Sequence, residues 1–138
     1  RDRMEEQVIH YCVAHGIPII ATCRGMQYMN VMFGGKLWYH PKLPVTRTRG
    51  MDHQVWLVKE QRNIWVNNYH SDCIYEEGLA PCFEPLAIDR ENHVVEAYGS
   101  DEMKILALQW HPERRFETAN AYEETRKIVL DFIQKHVK

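Results

Sequence analysis

The chain has 138 residues, 45% hydrophobic and 26% charged, with 17 Lys and Arg against 19 Asp and Glu. That length suits one domain burying roughly 70% of its unfolded surface and excludes a two-domain machine. A formal charge of -2, with both signs interspersed, gives no general attraction to phosphate backbones, so nucleic acid is not an expected partner.

In chain order, Met4, Val8, Cys12 and His15 recur at helical spacing, Ile9 and Tyr11 widen the apolar face, and Gly16 predicts a helix stop. Ile17 to Thr22 is a short β-branched run of the kind buried in a sheet, ending at Cys23-Arg24-Gly25. A second helix is predicted from Gly25 to Phe33, closed by Gly34-Gly35, then a short strand from Lys36 to Tyr39 and a loop from His40 to Gly50. Further strands are predicted at Gln54 to Val58, Ile64 to Asn67, Leu86 to Asp89, Val94 to Tyr98 and Ile105 to Trp110. From about Thr118 to His136, residues Tyr122, Val129, Phe132, Ile133 and Val137 trace an apolar stripe on a charged helix. The pattern is α/β, with no repeat and no linker dividing residues 1–138, which are expected to form a single domain.

Cys12, Cys23, Cys73 and Cys82 form no CxxC pair and no metal-ligand spacing, which fits a reducing, cytoplasmic setting. The longest apolar runs fall far short of the about 20 residues a membrane span needs, so no membrane association is expected. The sequence opens on Arg1-Asp2-Arg3-Met4, with neither an initiator Met nor the apolar run of a signal peptide, as a processed chain or a fragment would.

Two segments carry candidate chemistry. In Ile19-Ile20-Ala21-Thr22-Cys23-Arg24-Gly25-Met26-Gln27 an apolar strand turns directly into a helix with a cysteine at the turn, the form of a nucleophile elbow. Such a turn exposes the side chain, and the helix N-terminus favours a thiolate. Small residues are expected to be a steric need there, met by Gly25 on one side and Ala21 on the other. Taken alone, Cys23 reads equally as a small buried hydrophobe. In the second segment, Leu106 to Trp110 delivers His111-Pro112-Glu113 to a strand end, where residues two apart point the same way and Glu113 can orient the imidazole. Alone, it also reads as a capped turn. Together, a cysteine and a distant histidine with an orienting carboxylate form the set that thiol acyl transfer requires.

Cys23-Arg24-Gly25-Met26-Gln27, with Gly34-Gly35-Lys36-Leu37, resembles the nucleophile region of class I glutamine amidotransferase domains, and Gln109-Trp110-His111-Pro112-Glu113 resembles their histidine-glutamate motif. Val66-Asn67-Asn68-Tyr69-His70-Ser71 resembles the asparagine-rich turn that helps hold the glutamyl group, and Val95-Glu96-Ala97 the strand before the histidine. Arg24 and Trp110 point to the γ-glutamyl hydrolase branch, of peptidase C26 type; Arg114 and the Asn-Tyr-His-Ser-Asp run resemble enzymes acting on γ-glutamyl-CDP-amidate. The resemblance implies an α/β fold with a mixed, largely parallel, flavodoxin-like sheet flanked by helices. It implies hydrolysis of a γ-glutamyl amide, through a thioester on Cys23, with His111 as base and acid and Glu113 as its orienting carboxylate. The Arg24 backbone N–H would serve the oxyanion, and Gln27, Asn68, His70 and Ser71 would bind substrate.

The expected partner is a small γ-glutamyl molecule, with no cofactor and no metal. The family's second oxyanion donor comes from a loop upstream of the helix with which this sequence opens. The chain is therefore expected to be the C-terminal two-thirds of such a domain, missing its first strands, and losing one donor costs about 10²- to 10³-fold in rate. An exposed sheet edge would make a homo-oligomer. Two other readings stand beside the hydrolase: a glutaminase subunit feeding ammonia to a synthetase, and a truncated, non-catalytic domain. His40, His53 and His93 are expected to be exposed, the Met and Tyr residues around Gln27 to be helix core, and Lys42, Arg47 and Arg49 to make a solvated basic loop.

Overall fold

The computed structural model describes residues 2–39 and 51–137. The predicted loop with His40, Lys42, Arg47 and Arg49 lies outside those residues.

Helix α1 spans Asp2–Ala14, and the chain then reverses through Gly16, whose φ of 66° places it in the left-handed region. Gly16 N–H donates to Val13 and Ile17 N–H to Cys12, the paired bonds that close a helix on a glycine. Strand β1, Ile19–Thr22, leads through Cys23 into α2, Arg24–Met32. That helix ends the same way: Gly34 (φ 99°) donates to Val31 and Gly35 to Asn30. A Cβ on Gly35 would collide with the Asn30 amide, which is committed to the carbonyls of Lys36 and Gly78 and the N–H of Ala80. The predicted strand from Lys36 to Tyr39 shrinks to one bridge between Trp38 and Cys73, because the Lys36 N–H is already given to Gly78.

The remaining strands are β2 (His53–Leu57), β3 (Arg62–Val66), β4 (Glu84–Asp89), β5 (Val94–Ser100) and β6 (Ile105–Leu108), before α3 (Ala121–His136). They form one mixed sheet in the order β1-β6-β5-β4-β2-β3. The expected α/β fold with flanking helices is present, but the sheet is not largely parallel. Among the described strands only β1 and β6 run parallel, in register from Ile19 with Ile105 to Thr22 with Leu108. The other four pairings are antiparallel. For three of these pairings the cause is connection length: residues 58–61, 90–93 and 101–104 are tight turns ending on left-handed Gln61, His93 and Lys104, whereas a parallel return needs a dozen or more residues.

The core lies on both faces of the sheet. Met26 and Met29 of α2, with Ile9 and Val13 of α1, pack against Phe83, Val95, Tyr98, Ile105 and Ala107, while Val55, Leu57, Val66, Leu106, Leu108 and Trp110 pack beneath α3. Alternate residues of β6 serve opposite faces, which is why its sequence is an unbroken apolar run. Two predicted stripes are offset. On α3 the inward residues are Ala121, Thr125, Ile128, Val129 and Phe132, while Tyr122 and Val137 are exposed. On α1 the core takes Ile9 and Val13, leaving Met4, Val8 and Tyr11 exposed. No described helix is long and apolar enough to cross a membrane.

Candidate active site

Parallel pairing of β1 with β6 sends both strands out of the same end of the sheet. Cys23 N–H continues the ladder by donating to Leu108 O at 2.7 Å. The residue then takes φ 49°, ψ -110°, a strained conformation for a side-chain-bearing residue, and α2 begins immediately. The elbow expected from the sequence is therefore present. Its steric demand is milder than expected: a Cβ on Gly25 would meet Ala21 Cβ at 3.8 Å, an ordinary contact.

From the neighbouring strand end, His111 Nδ1 lies 2.8 Å from Glu113 Oε2. A carboxylate only accepts, so the imidazole donates from Nδ1 and keeps Nε2 as the basic nitrogen. Partial desolvation pushes the Glu113 carboxyl up, but its own backbone N–H, the His111 hydrogen bond and the charges of His111 and Arg114 outweigh it and hold the group below its ordinary value. The edge of Tyr69 faces the imidazole at 5.9 Å, and the Arg114 guanidinium sits 4.8 Å over the Tyr69 ring.

Cys23, Arg24, Gln27, His70 and Ser71 line one open cleft of about 660 Å³, together with Tyr28, Tyr39 and Asp72. Five of the predicted site residues thus come together there. Asn68 is buried and is not part of that lining, while Glu113 borders a separate hollow with Arg114 and Arg115. Tyr28, expected to be core, faces the cleft; Met26 and Met29 are core. Gln27 is itself nearly buried and donates through Nε2 to Asp72 O and to Gln109 Oε1, each at 3.1 Å.

Three residues were missed from the sequence. Asn67, fully buried beside the predicted Asn68, accepts from His111 N at 2.9 Å and donates to His111 O at 2.8 Å, pairing with that backbone as a strand would. Gln109 and Glu96 are also fully buried. The signal for both was a polar residue inside an apolar run buried on two faces, which requires partners. Glu96 Oε2 lies 3.7 Å from His70 Nε2 and its Oε1 lies 3.5 Å from His53 Nε2. His53 is thus a buried histidine, not the exposed one expected, because the alternation of β2 turns His53, Val55 and Leu57 inward together. His93 is exposed as expected. Among the described residues, no group of three His, Cys, Asp or Glu side chains is arranged to hold a metal ion, and the four cysteines form no disulfide.

The pattern of the Peptidase C26 family matches residues 1–113. The chain is 31% identical over 134 residues to the glutamine amidotransferase-like protein YvdE of Lactococcus lactis, covering 86% of this chain and 55% of that one. It is 30% identical over 114 residues to the γ-glutamyl-CDP-amidate hydrolase of Campylobacter jejuni, covering 83% and 52%. The fold superposes on the crystal structure of a glutamine amidotransferase from Thermotoga maritima with a TM-score of 0.66 at 17% identity, over 96% of this chain and 55% of that one. The chain spans about half the length of the curated relatives it matches. With a strand-to-helix cysteine elbow and a paired histidine and glutamate following two neighbouring parallel strands, and a family pattern running from the first helix to that glutamate, the chain belongs to the Peptidase C26 family of class I glutamine amidotransferase-like proteins.

Proposed function

We propose that the protein hydrolyses a γ-glutamyl amide bond and releases glutamate. The observation that carries this reading is the delivery, by one parallel strand pair, of an elbow cysteine and a carboxylate-paired histidine to the same sheet end. The Cys23 thiolate attacks the γ-carbonyl carbon, its proton passing to His111 Nε2; the tetrahedral oxyanion takes the backbone N–H of Arg24, the residue after the nucleophile. His111 gives the proton to the departing nitrogen, the C–N bond breaks, and a γ-glutamyl thioester remains. Water, deprotonated by His111, then cleaves the C–S bond. Glu113 stabilises the imidazolium and fixes its tautomer throughout. Gln27 from α2 and His70 and Ser71 from the segment after β3 line the cleft in which the glutamyl group would sit, and Asn68 is buried two residues before His70.

The name of the Campylobacter relative supports the bond type. The test is incubation with 6-diazo-5-oxonorleucine, a glutamine analogue, followed by peptide mass mapping, alongside glutamate release from γ-glutamyl-p-nitroanilide. The expected result is one adduct, on Cys23, and no hydrolysis by C23A. Hydrolysis that survives in C23A overturns the reading.

A further inference from the structure

Two buried amides, Gln27 and Gln109, lie beside the thiol, and of these Gln109 has no part in the proposed hydrolysis. Gln109 is fully buried between β6 and His111, and its Nε2 points at Cys23 Sγ from 3.8 Å. The other end of that amide is committed, since Gln109 Oε1 accepts from Gln27 Nε2 at 3.1 Å. Gln27 Nε2 is held in turn by Asp72 O, and the Gln109 backbone N–H is held by Glu96 O at 2.7 Å. An amide has one accepting and one donating end. Because Gln27 offers Gln109 only N–H, reversing the Gln109 amide would set donor against donor, so the network selects the orientation that aims N–H at sulfur.

We propose that Gln109 is a further catalytic residue, one whose side-chain N–H stabilises the Cys23 thiolate. The proposal rests on Cys23 as the nucleophile. When the thiol proton passes to His111 Nε2, the charge left on sulfur strengthens the Gln109 hydrogen bond. When sulfur becomes the neutral thioester that bond weakens, and it strengthens again as water releases glutamate. Gln109 neither gains nor loses a proton at any step. Arg24, Tyr28, Tyr39, His70 and Asp72 face the same cleft, and His111 stands at the adjoining strand end. Their fields act on the thiolate in every variant, so the quantity to measure is a difference from wild type.

The experiment is the pH profile of iodoacetamide alkylation, read on the Cys23 peptide by mass spectrometry, with the exposed Cys82 as internal reference. A hydrogen bond to an anion, at the long distance of a sulfur acceptor, corresponds to about one pH unit. In Q109L the Cys23 midpoint is expected to rise by about one unit, with alkylation at pH 7 falling about tenfold relative to Cys82. Q109E, which sets an anion beside the sulfur in place of a donor, is expected to raise it further. In both, kcat falls with little change in KM. If Q109L folds poorly, Q27M leaves Gln109 in place but frees its amide, and a smaller rise in the same direction is expected. Midpoints within about 0.2 unit of wild type in these variants overturn the proposal. The readout needs no turnover, so the two readings separate: activity in C23A removes the nucleophile, whereas an inactive C23A with unshifted Gln109 variants removes only Gln109.

Discussion

Asn67→Ala is the most informative single change outside the proposed triad. The Asn67 side chain is fully buried and makes two short bonds to the His111 backbone, at 2.8 and 2.9 Å. Its Nδ2 also lies 3.5 and 3.4 Å from the carbonyls of Arg114 and Arg115, so one amide gathers the turn that presents the proposed base. Alanine strands one N–H and one C=O, each worth about 1 to 3 kcal/mol when buried without a partner. The His111 side chain is 15% exposed, so water reaches part of this turn and the expected loss is about 2 to 4 kcal/mol rather than the full sum. A release of His111 by about 1 Å costs on the order of 10²-fold in rate. Urea titration gives the first quantity; kcat and KM for γ-glutamyl-p-nitroanilide, measured where the variant is folded, give the second, with KM expected to hold within about threefold. Asn67→Asp supplies a control of opposite pH sense. It keeps the acceptor for His111 N but sets an oxygen against His111 O, so its carboxyl pKa is raised on folding. The variant recovers stability as pH falls below that raised value and loses it as pH rises through it. A kcat within twofold of wild type in N67A would refute the positioning role, and a stability loss under about 0.5 kcal/mol would refute the hydrogen-bond accounting as well.

Glu113→Gln is expected to lower kcat about 10- to 100-fold, less than for a buried triad acid because water reaches this exposed carboxyl; unchanged kcat would remove Glu113 from the scheme. The hydrogen bond from Lys135 holds the Asp101 carboxyl below its ordinary value, with partial desolvation opposing and His136 assisting. Its contribution is therefore present above the unfolded carboxyl pKa of about 4 and lost as pH falls through the folded value. Both ions are well exposed, so D101N is expected to cost no more than about 0.5 kcal/mol at pH 7 by urea titration, and the gap from wild type is expected to close in acid. Strand β1 lies at one edge of the sheet with Ile17 and Ile20 exposed; a mass that rises with concentration is expected in light scattering, falling in I20K. A monomer at all concentrations would contradict that.

What the sequence disclosed tracks how local each determinant is. Both helix stops were legible because Gly16 and Gly34 act through bonds reaching only three to five residues back. The elbow was legible because strand, cysteine and helix are contiguous, and the His111–Glu113 pair because the two are near neighbours in sequence, although a turn closed by Arg114 N–H on His111 O brings them together rather than the extended chain expected. Strand direction was not, since it depends on which strand returns beside which. His53 was misplaced for a related reason: its burial is set by the register of β2 against β3 and by Glu96 on β5, residues distant in sequence. Asn67 was passed over for Asn68 because the pattern marks the turn, whereas the end of β3 decides which asparagine reaches His111.

Among the described strands, the parallel pairing of β1 with β6 explains why a sheet otherwise made of antiparallel neighbours holds its candidate chemistry at one end. Were β1 and β6 antiparallel, Cys23 and His111 would leave from opposite ends of the pair, separated by about 13 Å for four residues at the usual rise. Parallel pairing removes that separation and aims the first turn of α2 at the same place. The antiparallel neighbours then supply what tight turns deliver well, namely side chains at fixed depth: Glu96 from the middle of β5 and Asn67 just past β3. The parallel pairing of β1 with β6 therefore brings the candidate reacting groups to one end of the sheet, where Asn67 holds the His111 backbone and Glu96 lies beside His53 and His70.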